Sequence, residues 1–498
     1  MKIAIIGAGF AGLSSAKVLR EFGFDVTLFE KAPDVGGVWG ASRRYPGLST
    51  QNNKGTYALS DHRMPRDYPE WPSGEQVQAY LESYVVAYDL APVLHLGTEV
   101  IEATPASDDS SWSVTTRSTS GEVETGTYDH VVVANGIFSV PMIPPFGGLD
   151  EFTAAGGQLL AAGGFHDLEA ARGKDVVIVG YGKSSCDVSV PISDVASSTT
   201  VVARELLWKM PKKLGGVLNF KFLMLTRMGE GLFRYIKPHG VERFLHGPGD
   251  RVRRGMLGSV QKVATRQLGL DRLDLVPDGT FEDIARSTVS LATDDFYERV
   301  SDGRIEVRRD QTVVKLLEKD GRPHVELVSG TVLPADLVVC GTGFRQEVPF
   351  LPAEVQARLT DERGNFELYR QILPHQVRGL TFAGYNSSFF SPLSAEMSAV
   401  WIASLLLGLH DLPPEDVRRK HVAERLVWME ERTNGMHARG TNIIPFSMHN
   451  IDEVLGDLDL NVGPLTRALQ WLGPVNPASY RQVSRRLQQR RSKQLSNA

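Results

Sequence analysis

The feature that most constrains this chain is a glycine turn at its N-terminus. Residues Lys2 to Ile6 are almost wholly apolar, as expected of a strand buried on both faces of a parallel sheet. Gly7-Ala8-Gly9-Phe10-Ala11-Gly12 follows at once, a helical pattern runs to about Phe22, and Asp25 to Phe29 reads as a second strand ending at Glu30. In such a unit Gly7 allows a tight turn, Gly9 lets the backbone approach a pyrophosphate, and Gly12 lets the helix pack on the strand. The start of the helix, with Phe10 and Ala11, then faces the phosphates. Glu30 stands 18 residues past Gly12, near the roughly 20-residue spacing at which an acid accepts the hydroxyls of a nucleotide ribose. A carboxylate there repels a ribose 2′-phosphate, so this turn is expected to hold FAD or NAD and not NADP.

A second unit of the same kind starts at Val176. The strand Val176 to Val179 leads into Gly180-Tyr181-Gly182-Lys183-Ser184-Ser185 and a further helical pattern. Ser185 takes the place of the third glycine and is small enough to keep the packing close. The next strand, Thr199 to Ala203, ends at Arg204 where the first unit has its acid. A guanidinium matches a 2′-phosphate in charge and fork geometry, so NADPH is expected here in preference to NADH. Lys209, Lys212 and Lys213 could add to that field, although surface lysines are more often simply solvated. The two units imply an α/β protein with two nested Rossmann-like dinucleotide-binding domains.

Composition narrows the function by exclusion. The 498 residues are too many for one ordinary core, and a net charge of -5 argues against a nucleic-acid partner. Cys186 and Cys340 are the only cysteines, which excludes a disulfide framework, a Cys-x-x-Cys redox pair and a cysteine metal cluster, and fits a reducing cytoplasm. No metal site is expected. The apolar start is only a strand long and lacks the basic flank of a signal peptide; the late run Ala399 to Leu407 falls far short of the roughly 20 residues of a membrane span. Residues 204 to 272 depart from the acidic balance, with fifteen Lys or Arg against five Asp or Glu and a Phe-, Leu- and Met-rich stretch from Leu218 to Tyr235. This segment reads more readily as a solvated helical insertion on the second domain than as a basic amphipathic patch on an anionic membrane.

Downstream of Glu30 and Lys31 come Gly36-Gly37-Val38-Trp39-Gly40, Tyr45-Pro46-Gly47-Leu48, Thr50-Gln51-Asn52-Asn53-Lys54 and Leu59-Ser60-Asp61. Val131-Val132-Val133-Ala134-Asn135-Gly136, Gly341-Thr342-Gly343-Phe344 and Phe382-Ala383-Gly384-Tyr385-Asn386 follow. In this order, and over nearly the whole chain, they resemble the flavin-containing monooxygenases and their Baeyer-Villiger relatives. The resemblance implies FAD at the first turn and NADPH at the second. It adds Lys31, Gly37, Val38, Trp39, Asn52, Ala134, Asn135, Gly136, Gly341, Thr342, Gly343 and Leu393 to the residues expected around the cofactors. It further implies that NADPH reduces the flavin, which takes up dioxygen as a C4a-hydroperoxide and passes one oxygen atom to a small lipophilic substrate. The cofactor carries the hard chemistry, so no nucleophile or acid-base dyad is required. Oxygenation of a nitrogen or sulfur nucleophile is the expected reaction; Baeyer-Villiger oxygenation of a ketone, or NADPH oxidation without productive oxygen transfer, are the alternatives.

In this family an asparagine lies beside the reactive flavin edge within a Thr-Asn-x-x-Lys sequence. Aligning Lys54 places Gln51 there, with Asn52 next to it. Asn52, with Gln51 as runner-up, is the expected catalytic amide, although either could instead cap the turn. By the resemblance Glu396 lies near the flavin ring and could be a substrate-side carboxylate, but it reads more readily as a solvated helix residue. The family fingerprint Phe-x-Gly-x-x-x-His is degraded to Ala155, Gly157 and Ala161, unless His166 replaces its histidine. The chain is expected to divide into residues 1–160 (FAD domain), 161–338 (inserted NADPH domain) and 339–498 (return to the FAD domain with a helical extension). The crossings fall at Ala161–Gly164 and Cys340–Gly343, where glycine permits a bent backbone. The stretch from Thr441 to Tyr480 also looks like late monooxygenase sequence, and Arg485 to Arg491 reads as a frayed basic tail.

Overall fold

A computed structural model describes residues 1–285, 290–386, 388–433 and 446–497. The beginning of the late stretch noted above, residues 441–445, lies outside the described residues. Two parallel five-stranded sheets carry the fold. In chain order their strands are Lys2–Ile6 (β1), Asp25–Phe29 (β2), Leu94–His95 (β3), His130–Val133 (β4), Gln158–Ala161 (β5), Asp175–Val179 (β6), Ser198–Ala203 (β7), Glu306–Arg309 (β8), Leu337–Cys340 (β9) and Leu380–Phe382 (β10). The helices that matter to the sites are Phe10–Glu21 (α1), Gly74–Ala87 (α2), Lys183–Ile192 (α3), Asp250–Leu268 (α4), Ser391–Leu406 (α5), Ser447–Asp457 (α6), Pro464–Leu472 (α7) and Val483–Asn497 (α8).

The first sheet runs β10-β4-β1-β2-β3 and the second β8-β7-β6-β9-β5, so each glycine turn leaves the central strand of its own sheet. Every neighbouring pair is parallel; Ile5, for example, faces Leu28 on one side and Val132 on the other. Strands covered on both faces are apolar throughout, not in alternation, which is why Ile3, Ala4 and Ile5 are all fully buried. Each such Ile contributes roughly 1.5–3 kcal/mol. The α/β architecture with two nested units is thus the observed one. Strand β5 belongs to the second sheet although it begins before residue 161, and the two connecting segments lie side by side, Val140–Pro141 pairing antiparallel with Phe344–Arg345.

Helix α5 is buried on every side, with Leu393, Trp401 and Ile402 at zero exposure, and packs against α1. Helix α2 starts at a reciprocal capping box between Ser73 and Gln76. The basic tail is not frayed. It is α8, anchored by buried Val483 and Leu487, and Arg486, Arg490 and Arg491 donate to the carbonyls of Leu460, Leu458 and Phe22. A valine and a leucine four residues apart supply the apolar face that a frayed tail would lack. The 204–272 insertion packs on the C-terminal segment as well: Arg227 reaches Asp452 at 2.6 Å, and Glu230 reaches the start of α6. Among the described residues no helix is long and apolar enough to cross a membrane.

Candidate dinucleotide sites and the space between them

At the first turn Gly7 has φ +108°, and a Cβ there would come within 2.5 Å of the Ala134 carbonyl oxygen at the end of β4. A Cβ on Gly12 would lie 1.7 Å from the Gly7 carbonyl oxygen, so α1 can seat on the turn only without that side chain. Gly9 faces Gly37, and the amide of Gly36 donates to the Ala8 carbonyl at 3.1 Å. Helix α1 has no side-chain cap, and the amides of Phe10, Ala11 and Gly12 have no partner among the described residues. Free amides at a helix N-terminus are what a diphosphate takes. Glu30 is aimed at the same turn, accepting from the Ala8 amide at 2.7 Å and the Ala32 amide at 2.9 Å, while Lys31 points to solvent.

The remaining residues expected near this turn come from other elements of the chain. Val38 and Trp39 form a single helical turn, and Trp39 and Phe10 both meet the ring of Tyr57, at 5.7 and 5.3 Å between centroids. Ala134, Asn135 and Gly136 follow β4 directly. The Asn135 side chain is already engaged, donating to the Glu347 carbonyl and accepting from the Tyr385 hydroxyl. Leu393 lies buried in the first turn of α5. These features fit a dinucleotide held at its phosphates and one ribose.

The second turn repeats the geometry with one exchange. Gly180 has φ +114°, Gly182 precedes α3 without a side-chain cap, and the amides of Lys183, Ser184 and Ser185 again have no partner among the described residues. Ser185 is buried and donates to the Gly341 carbonyl at 3.3 Å. A Cβ on Gly341 would lie 2.1 Å from the Ser185 hydroxyl, so the glycine missing from the helix reappears just after the neighbouring strand β9. Beyond it Thr342 donates to the Met142 carbonyl, and the Gly343 carbonyl accepts from the Met142 amide at 2.9 Å. Arg204 stands exposed just after β7, with no hydrogen bond or ion pair among the described residues. Lys209 is not solvated. It is buried, donates to the Tyr181 carbonyl at 2.8 Å and lies over the Tyr181 ring, and burial lowers its pKa. Lys212 pairs with Asp294.

A loop joins the two turns, and it was invisible as such in the sequence. It begins at Gly36 beside Gly9 and ends on α3, where the Tyr45 hydroxyl donates to Ser184 Oγ at 3.1 Å and Gly47 packs on the Asp187 carbonyl. Asp187 is itself buried, accepting from Lys183 and, at 2.6 Å, from Thr293. His166 contacts the same loop, its Nδ1 lying 3.0 Å from the Arg44 carbonyl oxygen, whereas Ala161 ends β5.

The two candidate catalytic amides both carry a backbone bond. Asn52, 2% exposed, donates to the Phe389 carbonyl at 2.6 Å, and Gln51 Oε1 accepts from the Leu291 amide at 3.2 Å. Each keeps further amide capacity for a ligand. Glu396 is not solvated: it is 3% exposed and accepts from the Ser60 amide at 2.7 Å and hydroxyl at 2.6 Å. Burial, and then the nearby Asp61 charge, push its carboxyl up to about 7.

With this geometry in hand, comparison with known proteins decides the family. The family model described as flavin-binding monooxygenase-like matches residues 1–250, half of the chain. The chain belongs to that family. It is 24% identical over 515 residues to the N-oxide-forming dimethylaniline monooxygenase 2 of Oryctolagus cuniculus, an alignment spanning 97% of this chain and 88% of that protein. Its fold is similar to that of the S-allyl-L-cysteine S-oxygenase from Allium sativum, with TM-score 0.61 at 18% identity, over 98% of this chain and 93% of the other. It is similar also to cyclohexanone monooxygenase from Rhodococcus sp. Phi1 bound to NADP+, with TM-score 0.66 at 18% identity, over 95% and 98%. The protein is therefore a flavin monooxygenase, an oxidoreductase that uses dioxygen on a small molecule.

Proposed function

We propose that this monooxygenase holds FAD at the first turn and NADPH at the second, and that it oxygenates a nitrogen or sulfur nucleophile of a small lipophilic molecule. The observation that carries the cofactor reading is the contrast between two otherwise equivalent turns. Both present uncapped helix amides to a diphosphate, but one is flanked by Glu30 and the other by Arg204. On this reading the inserted NADPH unit runs from about residue 142 to 343, between the paired connecting strands. The bound flavin would supply reduction by NADPH and activation of dioxygen. The chain would orient it through the first turn and exclude water with Trp39, Tyr57, Phe389 and Phe390. Asn52, with Gln51 beside it, would offer an amide to the oxygenated flavin edge. The nitrogen and sulfur preference follows the activities for which the rabbit and garlic relatives are named. Likeness to cyclohexanone monooxygenase keeps ketone oxygenation as the second reading.

Rapid mixing of the NADPH-reduced protein with oxygen tests the reaction. A long-lived absorbance of a flavin C4a-hydroperoxide, shortened by an amine or thioether, is expected; immediate reoxidation with release of all the oxygen as peroxide would sink the proposal. Arg204→Ala tests the second turn. Loss of a charge-assisted phosphate contact of about 1.5–3 kcal/mol should cut the preference for NADPH over NADH by roughly ten- to a hundredfold.

A further inference from the structure

Arg425 and Arg432 stand two turns apart on the helix Glu415–Thr433, and therefore on one face of it, with Trp428 between them. Arg425 is 5% exposed; its Nη1 donates to the Tyr235 hydroxyl at 3.2 Å, and its Nη2 is buried without a hydrogen-bond partner. Arg432 lays its guanidinium over the Trp428 ring, 5.3 Å from the centroid. Its Nη2 reaches only the Met429 sulfur, at 3.8 Å, and its Nε and Nη1 are buried without a partner. Burial, and then the Arg425 charge, lower the Arg432 pKa to about 9.

A buried charge is ordinarily paired, because taking it out of water alone is far costlier than any packing it gains. Here the carboxylates of the neighbourhood are spent elsewhere. Glu453 accepts from the Tyr235 hydroxyl at 2.9 Å but pairs with Arg370, also at 2.9 Å. Glu430 accepts from Asn365 at 3.1 Å and lies 3.4 Å from Arg363, and Glu424 pairs with Lys237. Residues 434–445, next in the sequence, include no Asp or Glu. The walls are aromatic: the Trp428 ring meets Tyr235 and Phe446 edge-on, at 5.2 and 4.9 Å between centroids. Trp428 and Arg432 are only partly buried, which leaves a way in from solvent. Two full positive charges with three free donor nitrogens call for a doubly charged oxyanion, since a single carboxylate would neutralise only one of them. We propose that Arg425 and Arg432 form a site for a phosphate group, either free or carried on a small organic molecule, built from no residue of either glycine turn.

Isothermal titration of the full-length protein in chloride buffer tests this, with FAD and NADP+ in excess so that added phosphate does not report on the glycine turns. Inorganic phosphate should bind at one equivalent, and Arg432→Met and Arg425→Gln should each weaken it about tenfold or more. Phenyl phosphate binding about tenfold more tightly than inorganic phosphate would identify a carried phosphate group; binding no tighter would identify the free ion. No binding of either probe to wild type, or binding that neither variant weakens, overturns the proposal. The thermal midpoint gives a second readout, one that an arginine serving the fold alone would move the other way. In phosphate-free buffer Arg432→Met should melt no lower than wild type, because it removes an unpaired buried charge, and only wild type should gain on adding phosphate. An Arg432→Met protein that fails to fold, or that melts lower without phosphate and gains as much as wild type with it, overturns the proposal as well.

Discussion

His449 offers a test of how the inserted segment is held to the C-terminal helices. In the first turn of α6 its Nδ1 lies 2.5 Å from Glu230 and its Nε2 2.8 Å from Glu242, with the ring stacked on Tyr235 at 4.1 Å. Glu230 also accepts the amides of Met448 and His449, so it caps α6 as well. Burial opposes charge on the imidazole, but the two carboxylates outweigh it and raise the pKa from 6.5 to about 10. Because the folded-state value is raised, the stabilisation is fully present below about 6.5 and is lost as pH rises through about 10. At 1.36 kcal/mol per unit, a displacement of this size amounts to about 4 kcal/mol at pH 7 and about 1 kcal/mol at pH 9. Trp428 packs on Tyr235 and Trp471 on Gly231, so their fluorescence reports unfolding of this unit. Urea midpoints should therefore fall between pH 7 and pH 9 in the wild type by the equivalent of about 2–3 kcal/mol. His449→Gln should be less stable at pH 7 and lack that fall. If wild type and His449→Gln lose stability in parallel over this range, the imidazolium does not rivet the segment.

Two further outcomes follow from the sites. Gly341→Ala should cost about 1–3 kcal/mol and weaken NADPH binding, since its Cβ would strike Ser185 Oγ; adding Ser185→Gly should restore most of both, and a thermal midpoint that stays low in the double variant would refute the exchange. At Glu396 the folded state favours the protonated acid, so its contribution is present below 4.5 and declines as pH rises through about 7. Glu396→Gln keeps a partner for Ser60 and should flatten the thermal midpoint between pH 5 and 8, whereas profiles parallel to wild type would show the carboxyl is ionised throughout.

What was legible in the chain was local. Both glycine turns, with Glu30 and Arg204 at matching strand ends, could be placed because strand, turn and helix follow one another within a few dozen residues. The Ser185–Gly341 exchange could not: Ser185 stands out in place of a third glycine, but the residue that compensates for it is 156 residues away. Glu396 did leave a signal: Ser391 to Leu406 has no other charged residue, so the helix has no wet face on which a carboxylate could sit. The Tyr45 contact with Ser184 and the two glutamates around His449 left none, because they depend on how separate elements meet.

The connecting strands Val140–Pro141 and Phe344–Arg345 run antiparallel with Pro141 opposite Phe344. The chain therefore leaves the first sheet and returns to it at nearly one point, with about 5 Å between opposed Cα atoms. A two-stranded ribbon can bend and twist but cannot shear without breaking its ladder. Any separation of the two glycine turns is then a rotation about this stem, and the Tyr45 contact with Ser184 must slide or detach when it occurs.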